Sequence, residues 1–272
     1  MPQPPPTPWP SSIREINQLA DVDKHAIYRT LLPDWLFSQY GVDRKTLRIA
    51  THEHPIVTFH CPRGSRAMEI IVKRRATDLD PILYLNIADT FNNQLLVLLV
   101  IVNDPDAPRY NVDMDIHGNK THFGTTTRNI VAEEAAMKAG LAPGQIRKGL
   151  RVFKNSVPIF EEFVQKMSHD IFFIEPLAYH NAIIFERYGF SYLRGKQEMV
   201  EINREFQPEG TLFQKLEEAQ QNPFRQLKFH KTIRGRAWAI HDGILGHPFT
   251  GFQMYKRVGI DAGVNTFPEG IW

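Results

Sequence analysis

The chain has 272 residues, 42% hydrophobic and 23% charged, and its 32 Lys+Arg against 30 Asp+Glu leave a formal net charge of +2. That length allows one large domain or two small ones, folded without disulfide or metal staples. The single Cys61 excludes an intramolecular disulfide, the basic residues form short clusters rather than a nucleic-acid stripe, and the longest apolar run, Leu95–Val102, falls short of the ~20 residues of a membrane helix.

Residues 1–12 open with alternating prolines and lack the charged start and apolar stretch of a secretory signal, so a disordered or polyproline arm and a cytoplasmic location are expected. Ser11-Ser12 can cap a helix at Ile13, whose apolar positions Ile13, Ile16, Leu19, Ala20, Ile27 and Leu31 recur until Pro33. From Lys45 the period shifts toward two, through Leu47, Ile49, Ile56, Val57 and Phe59 and then Met68, Ile70 and Val72. Ile82 to Ile87 and Leu95 to Val102 read as a hairpin about Asn92-Asn93, residues that tolerate positive φ. Residues 110–116 alternate Val112, Met114 and Ile116 against Asp113 and Asp115, which predicts one more strand in an antiparallel meander of about four.

A short helix is expected over 129–139, closed by Gly140, and a longer one from Pro143-Gly144-Gln145 to about Ser168, kinked at Pro158. Ile171-Phe-Phe-Ile174 reads as a strand, 181–188 as a helix ended by Gly189, and 190–192 with 198–202 as a closing hairpin. A polar helix over 211–221 leads into an aromatic tail containing Trp238, Phe249, Phe252, Tyr255 and Phe267. This tail, residues 207–272, is expected to pack as an extension on a domain spanning 13–206, where it either completes the core or walls an acceptor.

Gln145-Ile146-Arg147-Lys148-Gly149-Leu150-Arg151 carries the clearest chemical signal. A glycine-containing basic loop entering a helix offers unpaired N–H groups at the positive end of the helix dipole, which suits a phosphate; the plain alternative is a solvated basic face. Gly124-Thr-Thr-Thr127 is a second phosphate-loop candidate.

The order of meander, basic loop, helix, strand and the helix bearing Asn181, Ala182, Glu186, Arg187, Gly189 and Phe190 resembles the second half of the GNAT superfamily of acyl-CoA-dependent N-acyltransferases. The resemblance is specific over about 145–192 and limited to strand order over 66–116. It implies an α/β fold, a GNAT-like mixed sheet with an antiparallel meander flanked by helices. It also implies acetyl-CoA or another acyl-CoA as co-substrate and a small-molecule or peptide amine as acceptor, with neither nucleic acid nor membrane as partner.

By that analogy Gln145, Ile146, Arg147, Lys148, Gly149 and Leu150 would bind the pyrophosphate, Asn181 would contact the cofactor arm, and pantetheine would lie between strands at 110–116 and 171–174. The Gln-to-Gly spacing is one residue longer than the family's. Phe185 stands where many members place a tyrosine that protonates the departing thiolate, which leaves Tyr179 and Tyr188 as nearby acids. Asp113 and Asp115, on one strand face, are the candidate bases for the amine. Two other classes stay open: a catalytically degenerate acyl-CoA-binding module, favoured by Phe185, and a metal-dependent enzyme using His52, His54, Asp113, Asp115 and His117.

Overall fold

The computed structural model describes residues 9–51, 53–121, 127–219 and 221–272. Residues 1–8 of the proline arm, His52, His122 and residues 124–126 of the second phosphate-loop candidate lie outside that set.

The elements run α1 (Ile13–Ile16), α2 (Asp21–Arg29), α3 (Asp34–Tyr40), β1 (Val57–His60), β2 (Ala67–Val72), β3 (Leu83–Asp89), β4 (Leu95–Val102), α4 (Ile130–Lys138), α5 (Phe153–Lys166), β5 (Ile171–Ile174), α6 (Tyr179–Arg187), β6 (Ser191–Arg194), α7 (Lys196–Glu205), α8 (Thr211–Glu218), a 3-10 turn (Leu227–Lys231), α9 (Ile233–His241) and β7 (Gln253–Arg257). The strands are hydrogen-bonded in the order β1-β2-β3-β4-β5-β7-β6, a mixed sheet flanked by helices. The chain divides into two compact units: Met1–Pro105, Gly149–Ile174 and Tyr255–Ile260 form the first, and Asp106–Lys148, Glu175–Met254 and Asp261–Trp272 the second. This division cuts across the sequence-based domains 13–206 and 207–272.

In the first unit β1 to β4 form an antiparallel meander of four strands, which ends at Val102 and does not take in residues 110–116 as expected. Met68, Ile70 and Val72 of β2 and Leu83, Leu85 and Ile87 of β3 are buried while their neighbours are half-exposed, as period two requires. Asn93, at φ +56°, makes the β3–β4 turn. The N-terminus of α1 is capped twice: Ser12 Oγ accepts from Glu15 N, and the two carboxylate oxygens of Asp89, at the end of β3, accept from Ile13 N and Arg14 N at 2.8 Å each. Two helices, α1 and α2, precede Pro33, as one or two were expected, and Pro33 caps the start of α3. β5 pairs with β4 in parallel, which an intervening crossover permits.

In the second unit Trp238 of α9 is the centre of a cluster with Val112, Ala136, Leu141 and Phe224, and its Nε1 donates to Leu141 O at 2.9 Å. Glu186 of α6 is buried and accepts from Tyr192 Oη, Thr266 N and Thr266 Oγ1, so it ties β6 and residue 266 to α6.

Three sequence expectations are corrected. Residues 110–116 form no strand, because their aspartates serve turns: Asp113 pairs with Arg109, and Asp115 accepts from His117 N and Asn119 N ahead of Gly118 at φ +83°. The helix expected from Pro143 begins only at Phe153, since Gly144 and Arg151 take positive φ and Ile146 packs into the Trp238 cluster instead. Residues 198–202 lie in α7 rather than a strand, with Met199, Ile202 and the following Phe206 buried along one helical stripe.

Candidate functional site

The first unit contains an unfinished strand pair. β4 pairs with β3 from Leu83↔Val102 to Asp89↔Leu95, with a bulge that leaves Leu98 without a β3 partner, yet it pairs with β5 only at Leu95↔Phe172, Leu96↔Phe173 and Val97↔Ile174. β5 stops there because Glu175-Pro176 follows, and proline supplies no N–H to a ladder. Residues 98–102 of β4 therefore have no strand partner on the β5 side among the described residues. That half is wholly apolar, Leu98-Leu99-Val100-Ile101-Val102, but none of it is fully buried, and Leu98 is 41% exposed. An apolar strand with a free row of N–H and C=O groups is a template for an extended chain that can exchange amide hydrogen bonds with it.

The end of this free edge is closed by a glycine. A Cβ on Gly149 would stand 3.0 Å from Val102 O, so the loop approaches the last carbonyl of β4 as closely as glycine allows. Arg151 follows at φ +58°, a conformation that costs a non-glycine residue roughly 1–2 kcal/mol and is concentrated at functional sites. α5 then begins without a side-chain cap and without an acidic residue in its first turn, and the cations Arg151 and Lys154 are exposed beside it. Uncapped N–H groups, the positive helix end and two cations together suit an anionic group such as a pyrophosphate.

The sequence-derived site residues are dispersed. Of the expected phosphate loop, Gly149 and Leu150 belong to the first unit and Gln145, Ile146, Arg147 and Lys148 to the second. Gln145 Oε1 accepts from Ala142 N at 2.8 Å, Ile146 O accepts from Tyr110 N, Arg147 donates to Ala107 O, and Lys148 is exposed. Asp113 and Asp115, expected to share a strand face, do not: Arg109 Nη2 donates to both oxygens of Asp113 at 3.0 and 2.8 Å. Hydrogen bonds from the Asn119 side chain and backbone, and from His117 N, hold the Asp115 carboxyl below its usual range. A carboxylate so stabilised is a weaker base.

Tyr179 opens α6 fully buried, edge-on to Phe249, and burial pushes its phenol up to about 12 against the pull of the neighbouring Arg236 guanidinium. Tyr188 is half-buried at the C-terminal end of α6, Asn181 sits half-buried in its first turn, and Phe185 packs on Phe190 at 5.4 Å. The metal reading gathers no set of ligands: among the described residues no three His, Cys, Asp or Glu are arranged to hold an ion. His54 lies in the first unit, Asp113, Asp115 and His117 in the second, and His52 outside the described residues.

Sequence reasoning missed that β4 itself, rather than residues 110–116, is the strand left open beside β5. The signal present was the proline straight after a four-residue strand, set against an eight-residue apolar run. No protein-family model, no curated protein and no solved structure matches the chain. Among the described residues no helix is long and apolar enough to cross a membrane.

Proposed function

We propose that the protein transfers an acyl group from acyl-CoA to an amine, in the manner of the GNAT superfamily whose element order its sequence resembles. The observation that carries this reading is the free edge of residues 98–102 of β4, ending at Gly149 and the uncapped start of α5. Pantetheine is an extended chain with two amide groups, and its amides match the strand's unpaired N–H and C=O groups. Its pyrophosphate would lie at the start of α5 with Arg151 and Lys154.

In that pose a β4 N–H polarises the thioester carbonyl where charge develops as the amine attacks, and holding both reactants on one edge supplies proximity. The C–N bond forms, the C–S bond breaks, the amine loses its proton to solvent or base, and the product is an amide with free CoA. Phe185 supplies no proton to the sulfur, but a thiol with a pKa of ~8.5 departs as its thiolate. Asp113, held by Arg109, and Asp115, capping a turn, are not offered as the base.

The test is release of free thiol from acetyl-CoA in the presence of a panel of primary amines. Amine-dependent release above the rate without amine is the expected result. Binding of acetyl-CoA with no release by any amine would replace this reading with the non-catalytic acyl-CoA-binding module that Phe185 favours, and no binding would remove both.

A further inference from the structure

The open edge of β4 borders a polar group that the mechanism above does not use. Antiparallel partners place their side chains on one face, and the pairs His60↔Glu69, Glu69↔Asn86 and Asn86↔Leu99 set one row across β1, β2, β3 and β4 on the face opposite the buried Met68, Ile70, Leu85 and Ile87. The next row is Thr58, Ile71, Tyr84 and Ile101. Leu99 and Ile101 belong to the part of β4 that has no partner on the β5 side, so both rows run from the proposed acyl-CoA edge to Glu69.

Three half-buried side chains meet there. Tyr84 Oη donates to Glu69 Oε1 at 2.9 Å, and Asn86 Nδ2 lies 3.4 Å from the same oxygen and 3.3 Å from Tyr84 Oη. Two of these bonds end on one carboxylate oxygen, Glu69 Oε1, and the third on Tyr84 Oη, while Asn86 Oδ1 is buried with no partner. A buried carbonyl oxygen without a donor has lost its hydration with nothing in return, and such an atom in a native structure calls for an explanation. Glu69 Oε2, Asn86 Oδ1 and the lone pairs of Tyr84 Oη are acceptors, and an alkylammonium brings three N–H donors and a positive charge to match them. Two interstrand spacings of ~4.8 Å put Glu69 about 10 Å from Leu99, across the half-exposed apolar surface of β3 and β4.

We propose that Glu69, with Tyr84 and Asn86, anchors a second, non-reacting ammonium of the acceptor, so that the preferred acceptors are long α,ω-diamines whose two nitrogens are separated by about 10 Å of apolar chain. The inference rests on the acyl-CoA reading for which nitrogen reacts, and it names Glu69 as a specificity residue for that site.

The experiment compares equilibrium binding of 1,8-diaminooctane and n-octylamine to the full chain, with and without saturating CoA, for the wild type and Glu69→Gln. The wild type should bind the diamine at least ten-fold more tightly than the monoamine. Glu69→Gln should abolish that preference and leave the thermal midpoint unchanged. A preference of the diamine that survives Glu69→Gln, or equal binding of the two amines by the wild type, overturns the inference. A Glu69-dependent preference in a protein that takes up no CoA upholds the ammonium site and overturns the acyl-CoA reading, so the two fail separately.

Discussion

Gly149 is where a single residue bears most on the proposed site. A Cβ there would lie 3.0 Å from Val102 O, so a side chain requires that carbonyl to give by a few tenths of an ångström, and the loop behind it leads through the strained Arg151 into α5. Gly149→Asp would push the loop off the end of β4 and place a negative charge where the pyrophosphate is proposed to lie. We expect CoA affinity to fall by at least ten-fold while urea unfolding changes by no more than about 1 kcal/mol, the ordinary range for a half-exposed loop position. Unchanged affinity would remove this loop from the site. What was legible at Gly149 was a glycine among cations ahead of a helix; its close approach to Val102 O was not, because that carbonyl belongs to a strand distant in sequence. The roles of Asp113 and Asp115 were not, because an alternation of aspartate with apolar residues serves a strand and a run of aspartate-capped turns equally well, and only Gly118 hinted at the turns. Glu186 was legible as a motif residue, but its work as the acceptor for Tyr192 and Thr266 depends on partners 6 and 80 residues away.

Among the elements, α6 carries a buried base whose cost can be read from pH. Burial, with the nearby charges of Arg234 and His241 acting in the same direction, lowers the pKa of His180 to about 3 from an ordinary 6.5. The unfolded chain therefore takes up a proton below pH 6.5 that the folded chain refuses until about pH 3. Stability is whole above pH 6.5 and declines as pH falls through that window, by up to ~1.4 kcal/mol per pH unit for one proton. His180→Gln should remove one proton's worth of slope between pH 6.5 and 5, a range above that in which the paired Glu133 and Asp242 begin to titrate. Identical slopes in the two proteins would show that His180 is protonated as readily in the folded state. Elements with an unambiguous period, β2 and β3, were visible in the sequence because burial alternates with two and nothing competes. α7 was not: Met199, Val200 and Ile202 fit a short strand, and what decides for the helix is that Met199, Ile202 and Phe206 bury together while Val200 stays 44% exposed.

At the scale of the whole molecule, a run of consecutive strands followed by alternating helix and strand announced a mixed α/β chain, and the mixed sheet with its antiparallel meander is of that kind. The two-unit division was not visible, because each unit is assembled from three separated stretches and no linker composition marks the crossings. The parallel pairing of β4 with β5 was hidden for a related reason: it joins Leu95 to Phe172 across residues that contain α4 and α5, and nothing local to either strand specifies the other. That pairing, left incomplete at Val97↔Ile174, is what the functional account stands on. The most direct test is thermal unfolding of the full chain with and without acetyl-CoA and free CoA. A ligand at 100 times its dissociation constant adds about 2.7 kcal/mol to stability, so a saturable rise in the midpoint with both compounds is predicted. A midpoint that stays fixed with either at millimolar concentration would contradict the assignment of the β4 edge as an acyl-CoA site.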